Sequence, residues 1–537
     1  MIQQKLPFTF LATIALFFCN QTKAQLTINS ATLFIQPGAT VSVQGNITSN
    51  ADIQGAGTVI LNGSANQSVD MSGKTIQNLQ INNTANATLA SNIIVGKSLT
   101  FTAGKITLGT NNLTLVDTAT TTGQGTGKFL ETNSTGQVIK NLTKNVASVE
   151  IPVGNGTTYR PAFVTSTGTY SSANVGVRVS ALADPSKPPM ISDYLLAYWP
   201  ITQTGITGTL NVTGQYAGAG DISGTASNLK GYFYNGTDWS STNTTSTTAS
   251  NQVAAPVVGN GDVYGMDGFI VLKAKVYLQA AYNTSTPGIM NETLRAAGLL
   301  PLSDPYRAAP YNTVFTQTND AATETTTSTV LGPQANPNND IVDWVFVELR
   351  NTAASPGNTV LQSRSALLQR NGNVVDVDGI SPVTFNNVAA GNYRIAVRHR
   401  NHVSACINVS SMPTLSEKQS VASLLDFTSN TALLYAGTVT NAPVATLATG
   451  VYGLWSGNAN GDAAVKMTGA FATQNDYLKL LGVLGSSANS INNTYSGQDL
   501  NFDGTVKMTG AFATQNDYLK LLGVLGSSSK AITQPTF

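Results

Sequence analysis

The sequence predicts a mainly β, multidomain protein: an N-terminal β-solenoid, β-sandwich modules after it, and a small α-helical domain at the C-terminus. Three observations lead there. Short apolar pairs with one polar residue between them recur through residues 25–125, and a period of two is the mark of a strand. Charged residues make up only 10% of the chain, while Thr, Asn, Ser and Gly dominate; that composition suits strands and turns over helices. Finally, residues 465–487 and 506–528 both read VKMTGAFATQNDYLKLLGVLGSS, with Tyr518, Leu519, Leu522 and Leu525 at helical spacing in the second copy.

Length and charge bound the possibilities. A chain of 537 residues is long enough for several domains. A formal net charge of +1 and the lack of a basic patch leave nothing to follow a phosphate backbone, so no nucleic-acid partner is expected. Residues 1–24 read as a signal peptide. Lys5 precedes an apolar run from Phe8 to Phe18, and Thr22, Lys23 and Ala24 offer a cleavage site before Gln25. The run is too short for a stable anchor, so no membrane span is expected after cleavage. Phe17 and Phe18 are too bulky for lipidation at Cys19. The mature chain then keeps only Cys406 and forms no internal disulfide. The protein is expected to be secreted, in the extracellular space or on the cell surface.

In residues 25–125 the pairs include Leu79/Ile81, Leu99/Phe101, Ile106/Leu108 and Leu113/Leu115. Positions 99, 106 and 113 are evenly stepped, and position 79 precedes 99 by a full period. Three short strands per turn of about 20 residues is a solenoid pattern. A meander of hairpins is the alternative. Residues 126–270 carry longer strand candidates and denser aromatics, among them Trp199 and Trp239, and read as an antiparallel sandwich. The two tryptophans are expected in its core, with sugar stacking the lesser reading. Residues 272–440 form a further transthyretin- or Ig-like sandwich, interrupted by a Thr/Asn-rich loop at 316–339. The run Arg398-His399-Arg400-Asn401-His402 is expected at a strand end with its charges in solvent.

Chemistry is sparse. The two histidines, the lack of a Cys cluster and the absence of H-E-x-x-H argue against a protein-built zinc site. There is no G-x-S-x-G elbow. Acidic residues are few in 25–270, and the solenoid offers only Lys74, Lys97 and Lys105 as bases for lyase chemistry. No catalytic residue is assigned.

The duplicated segment at 455–530 is the richest in potential ligands. Ahead of its second copy stand Asp499, Asn501, Asp503 and Gly504; ahead of its first stand Asn458, Asn460 and Asp462. Oxygen side chains at alternate positions, followed by a Gly that allows a sharp turn, are what Ca²⁺ asks for. Each unit is then half an EF-hand, an oxygen-rich loop followed by one helix. A polar turn with a helix cap and no ion is the plainer alternative.

Two such units in tandem resemble the dockerin family. The resemblance implies two calcium loops ordering two helices that dock onto a protein partner. The first copy departs from the family pattern at Asn458 and Ala463. Both copies have Gly, at 469 and 510, where the family has an acidic twelfth ligand. Asp476 and Asp517 are expected to supply that carboxylate. The expected ligands are thus Asp499, Asn501, Asp503, Asp517 and the Thr505 carbonyl in the second site, and Asn458, Asn460, Asp462 and Asp476 in the first. The second has more carboxylates and should fill first. More broadly, residues 280–306, 342–350, 365–379, 398–402 and 452–462 resemble secreted, hemagglutinin-like surface proteins of Bacteroidetes. That likeness implies export and implies no activity.

Two functions follow. The first is a non-catalytic surface or extracellular binding and adhesion protein, with glycans as possible ligands and a calcium-stabilised docking tail. The second is a polysaccharide-degrading enzyme, or a subunit of such a complex, carried by that tail. A glycosidase needs two facing carboxylates, a feature that sequence alone does not reveal.

Overall fold

The computed structural model describes residues 24–245, 250–320, 323–353 and 359–537. The expected leader up to residue 23, with Cys19, lies outside the described residues. The chain falls into two compact units: one runs to Ser180 and includes Trp199–Leu210, and the other comprises Ala181–Tyr198 and Asn211–Phe537. Among the described residues, no helix is long and apolar enough to cross a membrane.

The first unit is a β-solenoid. Its short strands pair in parallel, rung upon rung. One stack runs through Leu26–Ile28, Ile47–Ser49, Gln67–Asp70, Ala87–Leu89, Ile106–Thr107, Leu130–Glu131 and Val153–Asn155. On another face, Thr40–Val43, Thr58–Leu61, Thr75–Asn82, Ile93–Ala103 and Thr120–Thr122 pair in the same sense. Parallel neighbours need a long return of chain, so a meander of hairpins is ruled out for these strands. The register explains the sequence period: Val59 lies beside Leu79, and Leu79 beside Leu99. Residues 99, 106 and 113 are successive steps around one coil. Their side chains, with Ile47, Ile76 and Ile81, fill the interior.

Corners and polar groups fix the coil. Gly104 and Gly123 have φ of +83° and +73°, and a Cβ there would strike the carbonyl oxygens of Asn83 and Phe101; only glycine meets both demands. Buried Gln67 donates to the Val43 carbonyl at 2.9 Å and accepts from Gly63 N and Asn83 Nδ2 at 2.8 Å each. Lys140 is buried, and its Nζ donates to the carbonyls of Val116, Asp117 and Ala119 at 2.7, 2.7 and 2.9 Å. Parallel stacking is followed by a long antiparallel pair, Val138–Ile151 with Ala162–Val177, and Trp199–Thr204 joins the second of these. Trp199 is fully buried, with Nε1 donating to the Arg160 carbonyl at 3.0 Å.

The second unit begins with antiparallel strands, including Lys230–Tyr234, Gln252–Pro256 and Gly261–Met266. Trp239 is 5% exposed and packs among Tyr232, Tyr234 and Tyr264. A larger sheet follows in the order Val383–Asn386, Phe269–Lys275, Asn373–Val375, Val360–Gln369, Ile341–Arg350, Arg394–His399 and His402–Cys406. Trp344, Phe346, Phe385, Ile395 and Val397 fill its core. A short helix, α1, spans Thr293–Ala296. Two helices, α2 (Asp476–Leu484) and α3 (Asp517–Leu525), close the chain.

Lys140 carries a testable consequence for the coil. Lys140→Met keeps the stem and removes the donor shared by the three carbonyls, of which that of Val116 still accepts from Ala119 N at 2.9 Å. Urea denaturation should show the first unit losing at least about 1–3 kcal/mol, the usual cost of one bare buried acceptor. An unchanged midpoint would mean that the lysine is replaceable packing.

Candidate functional site

The duplicated loops are built from their own polar side chains. In the second loop, both Asp499 oxygens face inward: Oδ1 accepts from Asp503 N at 3.2 Å and Oδ2 from Gly504 N at 2.9 Å. Asn501 Oδ1 accepts from Asp503 N at 3.1 Å, and Asp503 Oδ1 from Thr505 N at 2.8 Å. Gly504 has φ of +79° and makes the turn. Thr505 then opens a short ribbon, Thr505–Lys507 against Ser490–Asn492. Asp517, the first residue of α3, is fully buried and reaches back into the loop. Its Oδ1 accepts from Leu500 N and Asn501 N at 2.6 and 3.3 Å, and its Oδ2 from Lys507 N at 2.8 Å.

The first loop repeats this plan. Asp476 accepts from Ala459 N, Asn460 N and Lys466 N at 2.7, 3.2 and 2.8 Å. Asp462 accepts from Ala464 N at 2.7 Å. Asn458 departs from its counterpart Asp499: Nδ2 donates to the Asp462 carbonyl at 2.6 Å, while Oδ1 is buried with no hydrogen-bond partner. The structure thus brings Asp499 and Asp517 onto one loop, and Asn458, Asn460, Asp462 and Asp476 onto the other. Among the described residues, no three His, Cys, Asp or Glu side chains gather in a metal-holding group. Burial pushes the carboxyls of Asp476 and Asp499 up to about 7 and that of Asp517 up to about 8; Asp499 is a further cause at Asp517. The donor set is all hard oxygen and suits calcium in kind.

Asn475 and Asn516 have no place in the sequence assignment. Each is the N-cap of its helix, with Oδ1 accepting from Leu478 N or Leu519 N at 3.1 Å. Each Nδ2 also ties down the preceding turn, at Met467 and Gly469 or at Met508 and Gly510. The signal was present, since Asn directly before an acidic first turn marks a helix start.

The two copies interlock. Leu480 and Leu484 of α2 pack on Val506 of the second copy, while Leu521 and Leu525 of α3 pack on Val465 of the first. Tyr477 and Tyr518 meet with ring centroids 5.6 Å apart. Phe471 and Phe512, equivalent in the repeat, are each 67% exposed.

The second loop is also tied to the large sheet. Asn401 Nδ2 donates to the Asp499 carbonyl at 2.7 Å, and Arg400 Nε to the Ser496 carbonyl at 3.3 Å. Phe502 stacks on His399 at 5.7 Å and meets His402 edge-on at 5.8 Å. Asp343 accepts from Tyr495 at 2.7 Å and pairs with Arg400 and His399. The expectation of a solvated strand end at residues 398–402 is therefore corrected: His399, Arg400, Asn401 and His402 are all buried. The reason is Asp343, a fully buried counter-charge on the neighbouring strand Ile341–Arg350. Burial would raise its carboxyl, but Arg400 and then His399 hold it down to about 2.

No known protein family, curated protein sequence or solved structure matches this chain.

The histidines make the pH response testable. Burial lowers His399 and takes His402 well below its usual range. His402 Nε2 accepts from Ala280 N at 3.3 Å, and its Nδ1 faces Asn401 Oδ1 and His399 Nδ1 at 2.8 and 3.0 Å. Neutral tautomers satisfy all three. Unfolding frees both rings to take protons below about pH 6.5. Their contribution to stability is thus present above that pH and lost as pH falls. Other buried acids titrate as well, so the comparison is between the native chain and His402→Gln. The native chain should lose up to about 1.4 kcal/mol more per pH unit on acidification than the variant. Parallel denaturation profiles would show that His402 is not the group responsible.

Proposed function

We propose that this chain is a secreted, non-catalytic binding or adhesion protein of the cell surface or extracellular space. A multidomain β-solenoid and β-sandwich architecture supports that reading, because it presents broad, rigid faces. The observation that carries the tail's part is the tie between Asn401 and the Asp499 carbonyl, which joins the second loop to the sheet. Calcium held by Asp499, Asn501, Asp503, Thr505 and Asp517 adds positive charge beside the buried Asp499 and Asp517 carboxylates, and so stiffens the loop against the sheet. Asn458, Asn460, Asp462 and Asp476 form the weaker first site, with affinities in the extracellular range of about 10⁻⁴–10⁻³ M. The half-buried Leu478, Leu481, Leu519 and Leu522, with exposed Phe471 and Phe512, form the face offered to a protein partner.

Calorimetric melting of the full chain tests the calcium reading. Millimolar calcium should raise the transition of the second unit relative to chelator, by up to about 1.4 kcal/mol where the ion reaches ten times its Kd. Asp503→Ala should remove most of that rise and Asp462→Ala the smaller part. Identical melts with calcium and chelator, or a larger loss from Asp462→Ala, would overturn the ligand assignment. The adhesive role is tested separately, by retention of labelled protein on bacterial and host cell surfaces. No retention on any surface would remove the binding reading itself.

A further inference from the structure

The first loop holds an arrangement that its ligand pattern does not require. Asn460 is followed directly by Gly461. Asn460 Oδ1 accepts from Asp462 N at 3.0 Å, an Asx turn that folds the amide back over its own main chain. Its Nδ2 donates to Asp462 Oδ2 at 3.1 Å. Asn460 N donates to Asp476 Oδ1 at 3.2 Å, which holds the residue in that turn. Gly461 N makes no hydrogen bond with any described residue. Gly461 has φ of +76° and no side chain to shield that nitrogen.

These are the parts of an intramolecular acyl transfer. The Gly461 nitrogen is the nucleophile and Asn460 Cγ the electrophile, and the turn supplies their proximity. Attack moves negative charge onto Oδ1, where the Asp462 N–H already donates, as a donor in an oxyanion hole does. Gly461 N gives its proton to solvent base and forms a bond to Cγ. The bond from Cγ to Nδ2 breaks, and Nδ2 takes a proton from solvent and leaves as ammonia. The Asp462 carboxylate beside Nδ2 stabilises the positive charge that this nitrogen gains. A five-membered cyclic imide remains. Water opens it at Cγ to give isoaspartate, or at the main-chain carbonyl carbon to give aspartate, according to which bond to the imide nitrogen is kept. In sum, one water is consumed and one ammonia released, and nothing is oxidised or reduced.

The other Asn-Gly pairs each lack one of these parts. Gly63 N is tied to Gln67 Oε1 at 2.8 Å, and Gly372 N to the Gln369 carbonyl at 2.9 Å. Gly261 is held in the strand Gly261–Met266. At Asn155, Nδ2 donates to a neutral carbonyl, that of Thr132, at 3.0 Å. Asn235 makes the same turn, with Oδ1 accepting from Thr237 N at 2.9 Å, but among the described residues no carboxylate accepts from its Nδ2.

We propose that Asn460 is a site of self-modification, which deamidates through a cyclic imide with Gly461 under the control of Asp462. Either product carries one more negative charge. The first loop then has a third carboxylate besides Asp462 and Asp476, matching Asp499, Asp503 and Asp517 in the second. The contact between Nδ2 and Asp462 is replaced by one between like charges, which favours a cation there. That last consequence rests on the calcium reading above; the modification itself does not.

Peptide mapping of the full chain by mass spectrometry tests it, after prolonged incubation at mildly alkaline pH in chelator. The peptide ending at Lys466 should gain the mass of one amide-to-acid exchange, with fragmentation placing the gain at Asn460. Conversion should be at least about tenfold faster than at Asn62 and Asn371, a barrier difference of about 1.4 kcal/mol. Asp462→Asn keeps the side-chain size and removes the carboxylate, and should slow Asn460 about tenfold while leaving Asn235 unchanged. Asn460→Gln lengthens the side chain past five-membered closure and should abolish the gain. Circular dichroism melts confirm the fold of each variant. Conversion of Asn460 no faster than that of Asn62 or Asn371, a gain that persists in folded Asn460→Gln, or an unchanged rate in folded Asp462→Asn would each overturn the proposal. A chain that converts at Asn460 yet melts alike with calcium and chelator would lose the calcium reading and keep the modification.

Discussion

The Asp343–Arg400 pair is the interaction on which the second unit's arrangement depends. Both side chains are fully out of water. An ion pair so placed stabilises little against an apolar replacement, yet losing one partner costs about 3–5 kcal/mol because the other is left as a bare buried charge. The pair is surrounded by groups that complete it. Tyr495 donates to the carboxylate, the Tyr495 and Phe502 rings lie 4.2 and 4.8 Å from the guanidinium, and His399 takes the remaining side. Tyr495 and Phe502 belong to the second repeat and its approach. One buried charge pair thus fixes the sheet and the C-terminal loop together, which a free docking tail would not require.

The same economy operates elsewhere in the chain. With few charged residues, amides and backbone groups carry most of the buried polar contacts. Gln67 and Asn83 bridge rungs of the solenoid, and Lys140 gathers three carbonyls. Asp476 and Asp517 each gather three backbone N–H groups at the loops. In each case one side chain serves several main-chain groups at once.

The solenoid was legible in the sequence because its period is local. The steps at 99, 106 and 113, and the return from 79 to 99, are side-chain positions on successive faces and rungs. The loop–helix units were legible for the same reason: their ligand-type residues and helix lie within one short stretch. What could not be read was contact between distant segments. Asp343 and Arg400 are far apart in the sequence, and neither reveals the other, so residues 398–402 read as solvated. Asn475 and Asn516 were readable as caps but were overshadowed by the aspartates beside them.

The identical repeats do not sit in identical surroundings. Val483 of α2 is 39% exposed, whereas its twin Val524 packs on the cluster containing Val403 and Leu500. Because α2 packs on the second copy and α3 on the first, one sequence must serve both crossed contacts. A change fitted to the buried environment of α3 would be tested again at the exposed face of α2. The residues that differ lie outside the repeated stretch, where Asn458 faces Asp499 and Ala463 faces Gly504. Those flanks set the charge of each loop and how tightly it turns. The asymmetry between the two loops is therefore written ahead of the repeat, while the repeat itself preserves the interlock that both loops need.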